Sequence, residues 1–201
     1  MQTAEAAASL RDLDDFLAFL RFREERCEFV DGRLVAMAGA NLRHNDIQAN
    51  MLAAIHARLR GGPCRVSGSD ALVETDRAGK RGRFPDLTVR CGPENDRWVE
   101  RPLVLVEILS PETELVDRGQ KLREYRAIPS LRHHLLVSQD RALVEIYSRR
   151  DGAWVYSSLE GLEAVLSLDP PGIELSTGEI YAGVPLSAVA DTDNLAFAPE
   201  A

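Results

Sequence analysis

Lysine is almost missing from this chain. Of 24 basic residues only Lys80 and Lys121 are lysine, and the rest are arginine. Arginine evidently serves wherever plain positive charge suffices. A lysine is then a candidate for a role arginine cannot fill, because a compact ammonium fits beside a metal-bound water where a planar guanidinium does not. Cysteine is scarce too. Cys27, Cys64 and Cys91 are odd in number, widely spaced, and form no CxxC or Cys/His cluster. That pattern argues against a structural zinc site and predicts small, partly buried thiols in a reducing cytosol. No apolar run approaches the ~20 residues of a bilayer span. The acidic start, MQTAEAAASLRDLDD, lacks a basic-then-apolar targeting pattern. The expectation is a cytoplasmic protein with no membrane partner. Positive charge is also short: a net charge of −8 argues against a general basic coat for nucleic acid. A local basic groove is still compatible with it. The arginine-rich stretches 77–83 and 118–132 read either as such a groove or as solvated faces.

What is present fits one globular domain. At 201 residues, 45% hydrophobic and 28% charged, the chain is long enough to bury a full core. We expect a single domain over residues 1–189 and a loose polar tail over 190–201. Ser9 and Asp12 read as a capping box opening an amphipathic helix through Phe16, Phe19 and Leu20. Asp31-Gly32 between the apolar runs of CEFVDGRLVAM predicts a β-hairpin over 27–37. Ile47, Met51, Leu52, Ile55 and Leu59 recur at helical spacing, and Gly61-Gly62-Pro63 stops that helix. Strands are expected at 65–75 and 84–90. LVLVEIL, residues 103–109, is apolar enough for a central strand buried on both faces. A helix over about 114–128 and strands at 133–138, 142–148 and 153–158 follow, and beyond Pro170-Pro171 the pattern weakens. The fold class is α/β: a mixed central sheet flanked by helices, preceded by an N-terminal helix and a β-hairpin.

Glu107 interrupts the apolar run 103–109. A carboxylate in a buried strand is costly unless it is paired or binds a metal. Asp86 follows Pro85 and opens the apolar run LTV, so it belongs at a strand start. Its spacing from Glu107 allows two adjacent strands whose carboxylates meet at one end of the sheet. Two carboxylates with few competing histidines or thiols suit a hard cation such as Mg²⁺, or Mn²⁺ in its place. Asp117 and Lys121, four apart, share a helix face from which Lys121 could reach a water or a phosphate. Blander readings stand beside these. Asp117 and Lys121 could be a surface ion pair of ~0.3–0.5 kcal/mol, leaving stability nearly unchanged on substitution. Glu107 could pair with a buried arginine, and Asp86 could be a turn acid.

The run FPDLTV…LVLVEILSPET…DRGQKLREY, with CEFVDGRLVAM and the His44 of RHNDIQANML upstream, resembles the Uma-two family of restriction-endonuclease-like proteins. That family falls within the PD-(D/E)XK nuclease superfamily, and the resemblance covers roughly residues 10–185. It implies that Asp86 is the motif aspartate and Glu107 the motif acid. The superfamily's usual lysine position is Leu109 here, a departure. The resemblance implies that Lys121 on the following helix takes its place, and that Glu28 and His44 are accessory polar residues. Glu28 could otherwise be a hairpin-edge charge, and His44 a polar residue near a helix start.

The reading that results is a Mg²⁺-dependent endonuclease with a restriction-endonuclease-like fold. Asp86, Glu107 and the Ile108 carbonyl would hold the metal, and Lys121 would orient water or neutralise transition-state charge. Its partner would be nucleic acid, DNA ahead of RNA. Cutting both strands of a duplex makes a homodimer plausible. The alternatives are a nuclease-fold module that has lost catalysis and binds nucleic acid or protein, and a structural protein whose acids are merely paired.

Overall fold

The computed structural model describes residues 10–21, 26–37, 39–76, 78–93 and 96–187. Helix α1 (Leu13–Leu20) is capped by Asp12, whose side chain accepts the Asp15 N–H at 3.0 Å. Ser9, half of the expected capping box, and the expected tail over 190–201 lie outside the described residues. Strands β1 (Cys27–Val30) and β2 (Arg33–Ala36) form the predicted hairpin. Asp31 and Gly32 sit at φ 51° and 77°, the left-handed pair that a two-residue turn of this hand demands. Helix α2 (Leu42–Leu59) buries His44, Ile47, Met51, Ile55 and Leu59 along one stripe.

The main sheet contains β3 (Cys64–Ser67), β6 (Leu87–Cys91), β7 (Pro102–Leu109), β8 (His133–Ser138), β9 (Leu143–Arg150) and β10 (Ala153–Glu160), in the order β10-β9-β8-β7-β6-β3. All neighbours are antiparallel except β7 and β8. A parallel pair needs a long crossover. Here it is helical: α3 (Glu114–Val116), a π turn (Asp117–Lys121) and α4 (Leu122–Ala127). The apolar run 103–109 is therefore a central strand, as its composition predicts. Val104, Val106 and Ile108 on one face of β7 join the core under α2, while Leu105 packs with Tyr125, Ile128 and Leu131 on the other. Glu107 alternates onto the second face, toward α4.

The expected strand over 65–75 is in fact two. β3 stays in the main sheet, while β4 (Val73–Glu74) pairs with β5 (Arg81–Arg83) in a second sheet ordered β2-β1-β5-β4. The polar, turn-forming stretch Gly68-Ser69-Asp70 separates them. β5 escapes the hydrophobic pattern because its sequence is Arg-Gly-Arg. Gly82 is there for space: a Cβ would come within 2.7 Å of Leu13 and of Leu72. Around Pro170-Pro171 the chain forms a hairpin of β11 (Val165–Leu168) and β12 (Ile173–Ser176), then α5 (Thr177–Ile180), and Leu166, Leu168 and Ile180 are wholly buried in the α2 core.

Cys64 and Cys91 form a disulfide, which corrects the expectation of separate thiols. They lie opposite each other in the β3–β6 ladder, a proximity their spacing in the sequence conceals. Cys27 is buried beside α1. No helix among the described residues is long and apolar enough to cross a membrane.

Candidate active site

Leu87, Thr88 and Val89 of β6 face Val106, Leu105 and Val104 of β7 in one register. Extending it by one residue sets Asp86 opposite Glu107. Asp86, one residue before β6, lies near enough to Glu107 for its charge to act on that carboxyl. Strand pairing ends at Leu87, and the Ile108 N–H beyond it donates to Asp86 Oδ2 at 2.7 Å. Helix α2 secures the same residue from above. His44 Nε2 lies 3.1 Å from Asp86 Oδ2, and Gln48, one turn later, donates to the Asp86 carbonyl at 2.8 Å.

Glu107 is buried and receives two hydrogen bonds on one oxygen. Tyr125 donates its hydroxyl to Oε1 at 2.6 Å and Lys121 Nζ donates to it at 3.1 Å. Burial pushes the Glu107 carboxyl well above its usual range. Asp117 and Asp86 push the same way, against the pull of Lys121 and the Tyr125 hydroxyl. A raised carboxyl is what a crowded acidic site requires, but dehydration leads and like charge follows.

Lys121 is no surface residue. It is 8% exposed, 3.0 Å from Asp117 Oδ1 and 3.8 Å from Glu28 Oε1. Burial works against its charge, yet Glu107, Glu28 and Asp117 overcome that and raise its pKa. The weak exposed pair expected for Asp117 and Lys121 is thus overturned, and with it the expectation that substituting Lys121 leaves stability nearly unchanged. The wide turn at Asp117–Lys121 is a π segment, a rare distortion that recurs at functional sites.

Glu28, on β1, is not a hairpin-edge charge. Its Oε2 accepts from Arg83 at 2.7 Å and its Oε1 from the Phe84 N–H at 3.2 Å. Arg83, 1% exposed, also grips both oxygens of Glu124 at 2.8 and 2.9 Å. It ties the small sheet to α4.

One cavity of about 450 Å³ gathers Glu28, His44, Asp86, Glu107, Asp117 and Lys121. A larger one of about 800 Å³, lined by Glu74, Glu100, Arg123 and Pro129 among others, contains none of these six. All five residues singled out by side chain in the sequence therefore share one cavity, and Ile108 lines it as well. Sequence reasoning missed Arg83, Glu124 and Tyr125 and took Asp117 for a surface acid. The spacing 117, 121, 125 marks one helical face and could have signalled two of them. Nothing local marks Arg83. Several arginines of the arginine-rich stretches are engaged: Arg81 pairs with Asp31, Arg118 with Glu114 and Glu145, and Arg126 lies over the Tyr147 ring.

Among the described residues, no three His, Cys, Asp or Glu side chains converge as a ready-made metal cage. What the site offers is two acids, each with one oxygen engaged and one without a hydrogen bond among the described residues: Asp86 Oδ1 and Glu107 Oε2. A Mg²⁺-like ion is bound through one or two carboxylates and otherwise keeps waters or phosphate oxygens, so this donor set fits one.

A mixed α/β fold with a central six-stranded sheet and a buried acidic–lysine cavity is the class this chain defines. A putative nuclease from Anabaena variabilis ATCC 29413, of the DUF820 group, has the same fold: TM-score 0.67 at 17% identity, over 85% of this chain and 97% of that one. The family described as "Uma2: Putative restriction endonuclease" matches residues 13–187, and the chain belongs to that family. Two uncharacterised proteins of Synechocystis sp. are similar in sequence. One, slr1290, is 29% identical over 85% of this chain and 91% of its own length; the other, sll1609, is 27% identical over 70% and 82%.

Proposed function

We propose that this protein is a metal-dependent nuclease with a restriction-endonuclease-like fold that hydrolyses phosphodiester bonds of nucleic acid, DNA first. The observation that carries the reading is the meeting of Asp86 and Glu107 in one cavity, each with one oxygen free of hydrogen bonds among the described residues, with Asp86 held by the Ile108 N–H and the Lys121 ammonium on Glu107. Asp86, Glu107 and the Ile108 carbonyl would hold the cation. In an extended strand that carbonyl points to the same edge as the Ile108 N–H, which reaches Asp86. When bound, Mg²⁺ or Mn²⁺ supplies Lewis acidity for the phosphoryl group and favours ionisation of the attacking water. Lys121 stands by to orient that water and to offset charge developing on phosphorus. His44 and Gln48 fix Asp86. Tyr125 fixes Glu107, and Arg83 holds Glu28 in reach of the ammonium.

The test is incubation of the purified protein with supercoiled, linear duplex and single-stranded DNA and with RNA, in Mg²⁺ and in Mn²⁺, beside Glu107→Gln. Cleavage by the wild type that the variant lacks is expected. Binding without cleavage of any substrate would overturn the proposal in favour of a non-catalytic module. The same proteins give a second readout. Mn²⁺ should raise the melting temperature of the wild type, since a ligand bound only by the folded state stabilises it. Asp86→Ala should melt at one temperature with or without the ion.

A further inference from the structure

Both hydrogen bonds to Glu107 fall on the same oxygen. Lys121 Nζ and the Tyr125 hydroxyl meet at Oε1, and Oε2 has no hydrogen bond among the described residues. Lysine alone would not enforce this. An ammonium on a four-carbon stem has three rotatable donors and could slide between the two oxygens. Tyr125 has one donor and no such freedom. Its ring is wholly buried, and the His134 ring closes on it edge-to-face at 5.0 Å. Among the described residues neither ring nitrogen of His134 has a hydrogen-bond partner, so it serves as a wall. Ile128 and Leu131 complete the packing. The phenol is thus packed where its hydroxyl occupies one lone-pair region of Glu107.

We infer that Tyr125 is a specificity-determining residue for the metal: by occupying Oε1 it limits Glu107 to a single ligating oxygen and so selects small octahedral cations over Ca²⁺. The reason lies in coordination chemistry. Ca²⁺ takes six to eight oxygens and readily accepts both oxygens of a carboxylate, whereas Mg²⁺ demands near-ideal octahedral geometry from single oxygens and keeps its waters. Asp86 presents one open oxygen in the same way, because the Ile108 N–H and His44 engage the other. Tyr125 touches neither substrate nor cation in this scheme. It acts through Glu107 as a positioning residue. The inference rests on the metal-dependent reading above but concerns selection, not cleavage.

The experiment is direct binding. Mn²⁺ bound to the full chain is measured by electron paramagnetic resonance, with Mg²⁺ and Ca²⁺ as competitors, for the wild type, Tyr125→Phe and Glu107→Gln. The wild type should prefer Mn²⁺ to Ca²⁺ by about tenfold or more, and Glu107→Gln should bind neither. Loss of an outer partner of a ligand typically weakens metal affinity by roughly 10- to 100-fold. In Tyr125→Phe the Mn²⁺ affinity should fall on that scale while Ca²⁺ affinity holds or rises, so the preference collapses. A variant that weakens both ions equally, or neither, would show that Tyr125 only packs, and the selection role would be overturned with the nuclease reading intact. A wild type that binds no Mn²⁺ overturns both. Should Tyr125→Phe fail to fold, the wild type still decides, because equal affinity for Ca²⁺ and Mn²⁺ contradicts a carboxylate restricted to one oxygen.

Discussion

Lys121→Arg is expected to fold and to lose cleavage, with the rate falling by roughly 10²–10³, or about 3–4 kcal/mol of transition-state stabilisation. The ammonium sits among Glu107, Asp117 and Glu28, at 3.1, 3.0 and 3.8 Å. A guanidinium keeps the charge, but its planar fork is too wide for a pocket shaped around one nitrogen, and it must displace either the carboxylates or the attacking water. Lys121→Ala should lose cleavage as well and, unlike the arginine variant, lose much of its stability. Breaking a buried ion pair by removing one partner costs about 3–5 kcal/mol. The pH dependence follows from the direction of the carboxyl shift. Without the ammonium, Glu107 is held even further above its unfolded value, so the folded state binds the extra proton. The penalty is small near the unfolded carboxyl pKa and grows as pH rises above it. Urea denaturation of Lys121→Ala at pH 5 and pH 7 should therefore show the greater deficit at pH 7. Wild-type cleavage by Lys121→Arg would sink the catalytic role of this lysine.

The legible parts of this site were those written in a single element. Glu107 stood out because a charge in an apolar central strand is costly wherever it occurs. Lys121 stood out because the chain otherwise avoids lysine. Asp86 was readable from Pro85, which marks the strand start it precedes. What could not be read was burial created by contact between distant elements. Asp117 looks like a surface acid until the β7–β8 crossover lays its π turn over Glu107. Tyr125 is one more aromatic on a helix until its hydroxyl meets an acid in a strand. The fold followed the same rule. The hairpin and β7 carried strong local signals, whereas β5, with two arginines in three residues, is a strand only because β1 and β4 flank it. The disulfide likewise depends on the β3–β6 register.

Arg83 is the far extreme of that rule, and its removal should have the largest effect on stability. Among the described residues it is the one cation bonded to both Glu28 and Glu124, each 7% exposed or less. Burial opposes its charge, but the two carboxylates raise its pKa above the ordinary value, so it stays charged across the whole working range. Arg83→Met keeps much of the apolar stem and takes from two buried acids the guanidinium they share. The expected loss is about 3–5 kcal/mol in urea denaturation at pH 7. Compensation tests the cause. Neutralising both acids as well, in Arg83→Met/Glu28→Gln/Glu124→Gln, removes the uncompensated charge and should recover most of the loss, because a buried charge cluster replaced as a whole is often close to neutral. The triple variant should nonetheless cleave poorly. Glu28 lies 3.8 Å from Lys121 and helps hold the ammonium, so a neutral amide there loosens the group proposed to act on the phosphate. Recovery of stability without recovery of cleavage would separate the two roles of Arg83, joining the small sheet to α4 and aiming Lys121. An Arg83→Met variant as stable as the wild type would instead mean that water reaches Glu28 and Glu124 and that the joint carries no strain.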